Sequence, residues 1–196
     1  MAEVKVLIQG YVSERDGAEF ASSTTTLIKD GRLNIIVDPG MDRKLLLSAL
    51  KKENLAPGDI NYVVLTHYHL DHSLLAGIFE NAKVLDRNEI YSWDGKIENH
   101  DGIIPKTDIK IIRTPGHDAF HCAVIVKTEE LGCVVVAGDV FWWMDAAKQE
   151  TDNKGLLEHK DPYVKNEKQL TESRQQILEI ADYIIPGHGI MFKVDR

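Results

Sequence analysis

Residues 67–72 read His-Tyr-His-Leu-Asp-His and hold four side chains that can bind a metal ion. They follow residues 62–65, Tyr-Val-Val-Leu, an apolar run with the composition of a buried strand. Because alternate side chains of an extended chain point the same way, the first two histidines can reach one cation together. If the chain then turns into a helix, the Asp and the last His are presented to a second cation. This stretch therefore predicts a strand that leads into a site for two metal ions.

Three further candidate ligands lie downstream, each directly preceded by a glycine at the end of an apolar run. They are His117, Asp139 and His188. Glycine lets the backbone turn sharply where a strand ends, and a rigid sheet fixes the origin of such a loop. A single histidine in an apolar setting is more often a packed or surface residue than a ligand. The joint occurrence of these residues, in this order, predicts a metal site.

This pattern resembles the signature of the metallo-β-lactamase superfamily, HxHxDH followed by a later His, a bridging Asp and a final His. The resemblance implies one metal held by His67, His69 and His117, a second held by Asp71, His72 and His188, and a bridge formed by Asp139. It also implies an α/β (α+β) fold, namely a four-layer αββα sandwich. This sandwich would form a single domain over residues 1–196.

The ligand types narrow the choice of metal. Imidazole and carboxylate ligands without a thiolate suit zinc, iron, manganese or cobalt. In the flavodiiron branch of the superfamily a Glu replaces the second His of the motif, whereas His69 stands here. The persulfide dioxygenase branch keeps a similar motif and uses a single iron. We therefore expect two Zn²⁺ ions per chain, with iron or manganese as alternatives.

The resemblance also bears on the reaction. In class B β-lactamases the bridging Asp is replaced, often by Cys, so Asp139 resembles the glyoxalase II and nuclease branches instead. Two divalent ions about 3.5–4 Å apart share a water and lower its pKa towards neutrality. We predict a dinuclear metal-dependent hydrolase that uses a metal-bridging hydroxide on a small ester, thioester, lactone or phosphodiester. Asp71, which can orient the nucleophile, and Asp139, which sets the metal separation, are the predicted catalytic residues.

A narrower resemblance leaves alternatives open. Segments 9–11, 137–141 and 172–194 are similar to a family of animal proteins that have one such domain and are described as endoribonucleases. The similarity departs at Tyr68 and Leu70, where that family has small residues. The alternatives to a small-molecule hydrolase are therefore an endoribonuclease, a mono-iron persulfide dioxygenase and a metal-binding protein without turnover.

The charge of the chain favours a small-molecule substrate. There are 23 basic and 31 acidic residues, a net charge of −8, and no basic cluster stands out. Polynucleotide binding gains most of its affinity from Lys and Arg, so a nucleic-acid partner is disfavoured. The first three residues carry an acid, Glu3, rather than a basic residue, and the apolar run 4–8 is shorter than a signal-peptide core or a membrane span. We expect a cytoplasmic protein with no membrane partner, and a homodimer is compatible with the sequence.

Aromatic side chains near the expected ligands are candidate substrate contacts. Trp142 and Trp143 follow Asp139 closely, and they suit either a cavity wall or the core. Tyr11 and Tyr68 are further candidates, for binding substrate or stabilising an oxyanion. His121 is a weaker candidate for the same role, and a structural role is favoured for it.

Periodicity and turn signals predict the remaining elements. We expect strands at 4–9, 24–29, 33–37, 83–85, 109–113, 119–127 and 131–137, helices at about 42–53, 72–79 and 167–180, and a loop at 94–107. His100 is expected to be exposed, and residues 145–163 to form a surface loop rather than a lid. Cys122 and Cys133 are expected to be packed thiols rather than a disulfide.

Overall fold

The computed structural model describes residues 1–195. Its larger sheet has seven strands, numbered here in chain order. In their order across the sheet they are β1 (Glu3–Ile8), β4 (Thr25–Asp30), β5 (Leu33–Val37), β6 (Tyr62–Val64), β7 (Lys83–Leu85), β8 (Glu89–Tyr91) and β9 (Ile97–Asn99). Strands β5, β6 and β7 are parallel to each other, and the remaining pairs are antiparallel.

The second sheet has five strands. In order they are β10 (Lys110–Arg113), β11 (Cys122–Thr128), β12 (Gly132–Trp142), β13 (Tyr183–His188) and β14 (Phe192–Lys193). Strands β12 and β13 are parallel. A separate antiparallel hairpin is formed by β2 (Tyr11–Arg15) and β3 (Ala18–Ser22).

Within residues 1–195 the fold is completed by four α-helices: α1 (Arg43–Lys52), α2 (Leu70–Ser73), α3 (Asn153–Glu158) and α4 (Glu167–Ile180). Asp42 caps α1, because its side chain accepts hydrogen bonds from the backbone N–H groups of Lys44 and Leu45, each at 3.0 Å. This cap satisfies donors that have no partner within the helix.

Successive side chains of each strand point to opposite faces of its sheet, and the buried side chains therefore form three separate clusters. In β5, Ile35 packs between the two sheets, whereas Ile36 packs towards α1 on the outer face. In β12, Val134 packs between the sheets and Val135 packs towards α3 and α4. Successive side chains of a strand point to opposite faces, so each sheet buries both of its faces. The layers therefore follow each other as helix, sheet, sheet, helix, which confirms the predicted αββα sandwich.

Several predicted elements agree with the structure, but the helix predicted at 72–79 is wrong. The strand at 83–85 and the helix at 167–180 coincide with β7 and α4. After His72, however, the chain forms only the end of α2 and a separate 3-10 turn, Ala76–Ile78. The reason is a pair of backbone hydrogen bonds to another loop. Gly40 N–H donates to His72 O, and Leu75 N–H donates to Gly40 O, both at 3.2 Å.

The loop predicted at 94–107 contains β9, which pairs with β8 at the edge of the larger sheet. His100, expected to be exposed, is half-buried. Its Nε2 lies 2.9 Å from Asp86 O, and its Nδ1 accepts a hydrogen bond from Gly102 N–H at 2.9 Å. Both ring nitrogens are thus used to hold the chain that leaves β9.

The two cysteines are thiols, as expected. Strands β11 and β12 are antiparallel, and Cys133 is paired with Lys127 rather than with Cys122. The two sulfur atoms therefore lie towards opposite ends of the strand pair.

Among residues 1–195, no helix combines the length and the apolar character that crossing a membrane requires.

The two sheets meet where their parallel strands end, and this edge positions the polar side chains. Asp38 directly follows β5, and His67 follows β6 after two residues. Asp139 and His188 lie in the last parts of β12 and β13. A backbone hydrogen bond of 2.8 Å from Cys122 N–H to Thr66 O joins the sheets at this edge. The fold therefore gathers the candidate ligands from separate strands at one place.

Candidate metal centre

The structure brings the seven predicted metal ligands together as two groups. Within each group the candidate ligand atoms all lie within 4.8 Å of one another. One group consists of His67, His69, His117 and Asp139, and the other consists of Asp71, His72 and His188.

The Asp139 carboxylate lies between these two groups. Its Oδ2 is 3.4 Å from His117 Nε2 and 3.7 Å from His67 Nε2. Its Oδ1 is 3.1 Å from His72 Nε2 and 3.7 Å from His188 Nε2. Each oxygen therefore faces one group, which is the placement that a bridging carboxylate needs.

The spacing of the donor atoms fits metal ions. In a tetrahedral zinc site with ligands at about 2.0–2.1 Å, neighbouring donors are roughly 3.3 Å apart. Here His69 Nδ1 is 2.9 Å from His67 Nε2 and 3.2 Å from His117 Nε2, and Asp71 Oδ2 is 3.1 Å from His188 Nε2.

Two buried polar atoms of the site also indicate that it suits a metal ion. Within residues 1–195, His72 Nε2 and Asp139 Oδ1 are buried and 3.1 Å apart, but neither makes a hydrogen bond of good geometry. A buried polar group without a well-formed hydrogen bond is costly, and a coordinated cation would satisfy both atoms.

The charges of the site are set by burial and by the neighbouring groups. Burial, followed by the nearby His72, holds the pKa of His67 well below its ordinary value. Burial also lowers the pKa of His72, but the carboxylates of Asp139 and Asp38 outweigh it and hold that pKa well above its ordinary value. Burial raises the pKa of Asp139, yet His72 and His188 outweigh it and keep that pKa well below its usual range. Asp139 is therefore an anion, as a metal-bridging carboxylate must be.

Two carboxylates behind the ligands orient the histidine rings, and neither was predicted from the sequence. Asp161 Oδ2 is 2.7 Å from His117 Nδ1, and Asp38 Oδ2 is 2.8 Å from His72 Nδ1. Each contact fixes a ring so that its Nε2 faces the site, and such outer carboxylates also make the ligand more basic. Asp38 additionally accepts hydrogen bonds from Thr66 N–H and Thr66 Oγ1, at 2.8 and 2.7 Å.

Residues 145–163, predicted as an ordinary surface loop, contribute directly to this arrangement. The stretch contains α3 with the fully buried Leu156, and it delivers Asp161 to His117. The buried Arg174 of α4 holds it in place. Arg174 Nη1 donates to His159 O at 2.7 Å, and Arg174 Nε donates to Val140 O at 3.0 Å. The surface-loop prediction is therefore wrong, because the segment is fastened to β12 and α4.

Asp161→Asn is expected to weaken metal binding by about 10–100-fold, because an amide neither polarises nor orients the His117 ring as a carboxylate does. A competition titration against a chromogenic zinc chelator measures this change. The matched control is Asp152→Asn in the same segment, since Asp152 is exposed and an Asn there still caps α3. Equal zinc affinity in the two variants would show that Asp161 does not support the ligand.

A cavity of about 460 Å³ opens onto both ligand groups. Its floor includes His69, Asp71, His117, Asp139 and His188, and its walls are formed by Val12, Glu19, Ala21, Met41, Leu70, Trp142 and Tyr163. The β2–β3 hairpin supplies Val12, Glu19 and Ala21, so the segment after β1 borders the site. The walls are mostly apolar, as is common in small-molecule sites.

A family model described as the metallo-beta-lactamase superfamily matches residues 18–190. The chain belongs to this superfamily. It is therefore a metal-dependent hydrolase by family, and its two ligand groups lie where the sequence motif of the metallo-β-lactamase superfamily places its histidines and aspartates.

Curated relatives agree with this assignment. Metallo-beta-lactamase domain-containing protein 1 of Xenopus laevis is 30% identical over 200 residues, which cover 97% of this chain and 81% of the relative. A protein of Methanocaldococcus jannaschii named "Probable metallo-hydrolase" is 32% identical over 195 residues, which cover 97% and 89%. These relatives confirm both the superfamily resemblance and the narrower resemblance to the animal family.

Solved structures share the metallo-β-lactamase fold. A metallo-beta-lactamase-type protein of Thermotoga maritima superposes with a TM-score of 0.74 at 20% identity, covering 98% of this chain and 99% of the other. AidC, a dizinc quorum-quenching lactonase, superposes with a TM-score of 0.63 at 16% identity, covering 87% and 73%.

Of the four predicted substrate-binding aromatics, Trp142 is the one that lines the cavity of this metallo-β-lactamase fold. Trp143 is 4% exposed and packs against Phe192 and His159, with ring centroids 5.9 and 5.1 Å away. Tyr68 does not line the cavity, and its hydroxyl donates to the Asp86 carboxylate. The structure therefore places neither Trp143 nor Tyr68 in the cavity wall.

Tyr11 also lies outside the cavity wall. It starts β2, where it pairs with Ser22, and its neighbour Val12 faces the cavity instead. Side chains alternate along a strand, so Tyr11 and Val12 point in opposite directions. The structure therefore places Val12, and not Tyr11, in the cavity wall.

His121 supports the site without facing the cavity. Its Nε2 accepts a hydrogen bond from Asp139 N–H at 3.1 Å, and its Nδ1 lies 2.9 Å from Thr114 Oγ1. Burial lowers the pKa of His121 to about 3, so the ring is neutral and can accept that bond. The structural role favoured from the sequence agrees with these contacts.

Proposed function

We propose that the protein is a dinuclear hydrolase that binds two zinc ions per chain and cleaves a small ester, thioester, lactone or phosphodiester. The observation that carries the proposal is the position of Asp139, whose two oxygens face two separate ligand groups. Imidazole and carboxylate donors without a thiolate suit zinc, and the fit of the donor spacing supports the same choice.

Two divalent ions in such a site supply a hydroxide nucleophile near neutral pH and a Lewis acid for the substrate oxygen. The residues of the chain hold and orient the reactants. Asp139 sets the separation of the two ligand groups. Asp71 borders the cavity with its side chain 21% exposed, so it can orient the nucleophile there. Leu70 and Trp142 exclude water from the substrate around the reacting bond.

The cavity supports a small substrate rather than a polynucleotide. Its lining includes no Lys or Arg among the described residues, and the net charge of the chain is −8. A polynucleotide would need basic side chains to neutralise its phosphates. The fold is shared with AidC, a lactonase, which is consistent with an ester-type substrate. A cytoplasmic location and a homodimer remain predictions from the sequence.

A substrate panel tests the proposal. Zinc-loaded protein is assayed with p-nitrophenyl acetate, an acyl thioester, an N-acyl homoserine lactone and bis(p-nitrophenyl) phosphate. We expect turnover of at least one of them, loss of that turnover on chelation, and recovery when zinc is returned. Turnover of none, with oxygen consumed on a persulfide by the iron-loaded protein, would favour the oxygenase alternative instead.

A further inference from the structure

The mouth of the cavity is narrowed by a contact between two distant segments. Tyr163, which follows α3, donates from its hydroxyl to Glu19 Oε2 on β3 at 3.4 Å. The Tyr163 ring is 5.7 Å from the Trp142 ring, which in turn is 6.2 Å from the ring of His188. One continuous wall therefore runs from a candidate metal ligand to the carboxylate of Glu19.

The negative charge of Glu19 is not offset at this position. The cavity lining includes the carboxylates of Glu19, Asp71 and Asp139 and, among residues 1–195, no basic side chain. Asp71 and Asp139 belong to the ligand groups, where cations would neutralise them. Glu19 contacts a neutral hydroxyl, and its charge is the main cause of the raised pKa of Tyr163. The guanidinium of Arg15 on the same hairpin lies over the ring of Phe20, 5.5 Å from its centroid.

We propose that Glu19 makes this site select uncharged esters against anionic phosphodiesters. The inference rests on the proposed hydrolase function and narrows its substrate class. A phosphodiester carries a full negative charge into a cavity that Glu19 borders, whereas a carboxylic ester or a lactone carries none. The apolar side chains of Val12, Ala21 and Leu70 on the same walls favour an uncharged, apolar substituent. Like-charge repulsion at a partly solvated mouth changes relative binding by about tenfold.

An exposed acid at the far end of the second sheet supplies a matched control. Glu130 lies in the turn between β11 and β12, whereas the metal-ligand edge lies at the Cys122 end of β11, and Glu130 does not line the cavity. Glu19→Lys and Glu130→Lys each raise the net charge of −8 by two. Glu19→Lys also replaces the like-charge cross-strand pair of Glu14 and Glu19 by an opposite-charge pair, so it should not destabilise the hairpin. Of the two substitutions, Glu19→Lys alone places a cation in the cavity.

The first readout is the ratio of kcat/KM for bis(p-nitrophenyl) phosphate to kcat/KM for p-nitrophenyl acetate, measured on zinc-loaded protein. We expect Glu19→Lys to raise this ratio about tenfold relative to the parent chain. Glu130→Lys should leave it within about twofold. Equal ratios in the two variants would overturn the inference, because only overall charge would then matter.

The second readout does not depend on turnover. The dissociation constant of diphenyl phosphate is measured by calorimetry on the same zinc-loaded proteins. It should fall about tenfold in Glu19→Lys relative to Glu130→Lys. If the parent chain hydrolyses none of the four panel substrates, the proposed function fails, and this comparison still decides the role of Glu19. Equal dissociation constants would contradict that role.

Discussion

Replacing Asp139 by alanine is expected to lower kcat/KM by on the order of 10³-fold while the chain stays folded. A carboxylate about 4 Å from a cation, at an effective dielectric constant near 20, contributes about 4 kcal/mol, which corresponds to a factor of about 10³. Without Asp139, cations in the two ligand groups would repel each other with no shared anion between them. The loss is measured with the best substrate of the panel.

The fold should survive this substitution because the sheets, not Asp139, carry the core. The exposed Asp108→Ala is the control for removing an acidic side chain elsewhere. Circular dichroism and the melting temperature of metal-free protein should be similar in both variants and the parent. If Asp139→Ala keeps near-normal activity, Asp139 is not the bridge.

Gly187→Ala is expected to reduce activity by at least about 100-fold, although glycine 187 has no side chain in the site. A Cβ atom there would lie 1.8 Å from Asp139 Oδ1 and 2.9 Å from the carbonyl carbon of Gly138. The added methyl group must therefore displace the bridging carboxylate or separate β13 from β12. Displacing one reacting group by about 1 Å is enough to cost about 10²-fold, and overpacking adds about 1–3 kcal/mol of destabilisation.

Gly77→Ala is the matched control, because a Cβ at Gly77 meets no atom within 4 Å. Activity and metal content should be unchanged in that variant. In Gly187→Ala, both the zinc content and kcat/KM should fall together. Normal activity in Gly187→Ala would show that Asp139 is free to move without consequence, and the bridging geometry would be wrong.

The ligand groups could be predicted from the sequence because each ligand follows a strand-like run and a turn signal. Asp38 carries the same signal, since it directly follows β5 and precedes Pro39 and Gly40. The same rule, applied to every strand, would have found it. Asp161 could not be found this way, because it lies 44 residues from His117 in a polar stretch with no periodic pattern.

The residues that line the cavity were harder to predict, because their identity depends on strand register. Trp142 and Trp143 are adjacent, so alternation allows only one of them to face the cavity. Which one does so is decided by irregular pairing of β12 with β13 between Gly138 and Trp142. Such a register shift leaves no mark in the local sequence. The contact between Glu19 and Tyr163 joins residues that are 144 positions apart, and it likewise needs the folded chain.

The metal content of the folded chain is the most direct test of a dinuclear centre. Protein produced with supplied zinc is freed of loosely bound metal by gel filtration, and its metals are measured by mass spectrometry against an absolute protein concentration. The two ligand groups predict close to two zinc ions per chain, and close to one in His188→Ala, which removes a ligand of the second group. A folded chain that retains no metal after zinc has been supplied would contradict the account.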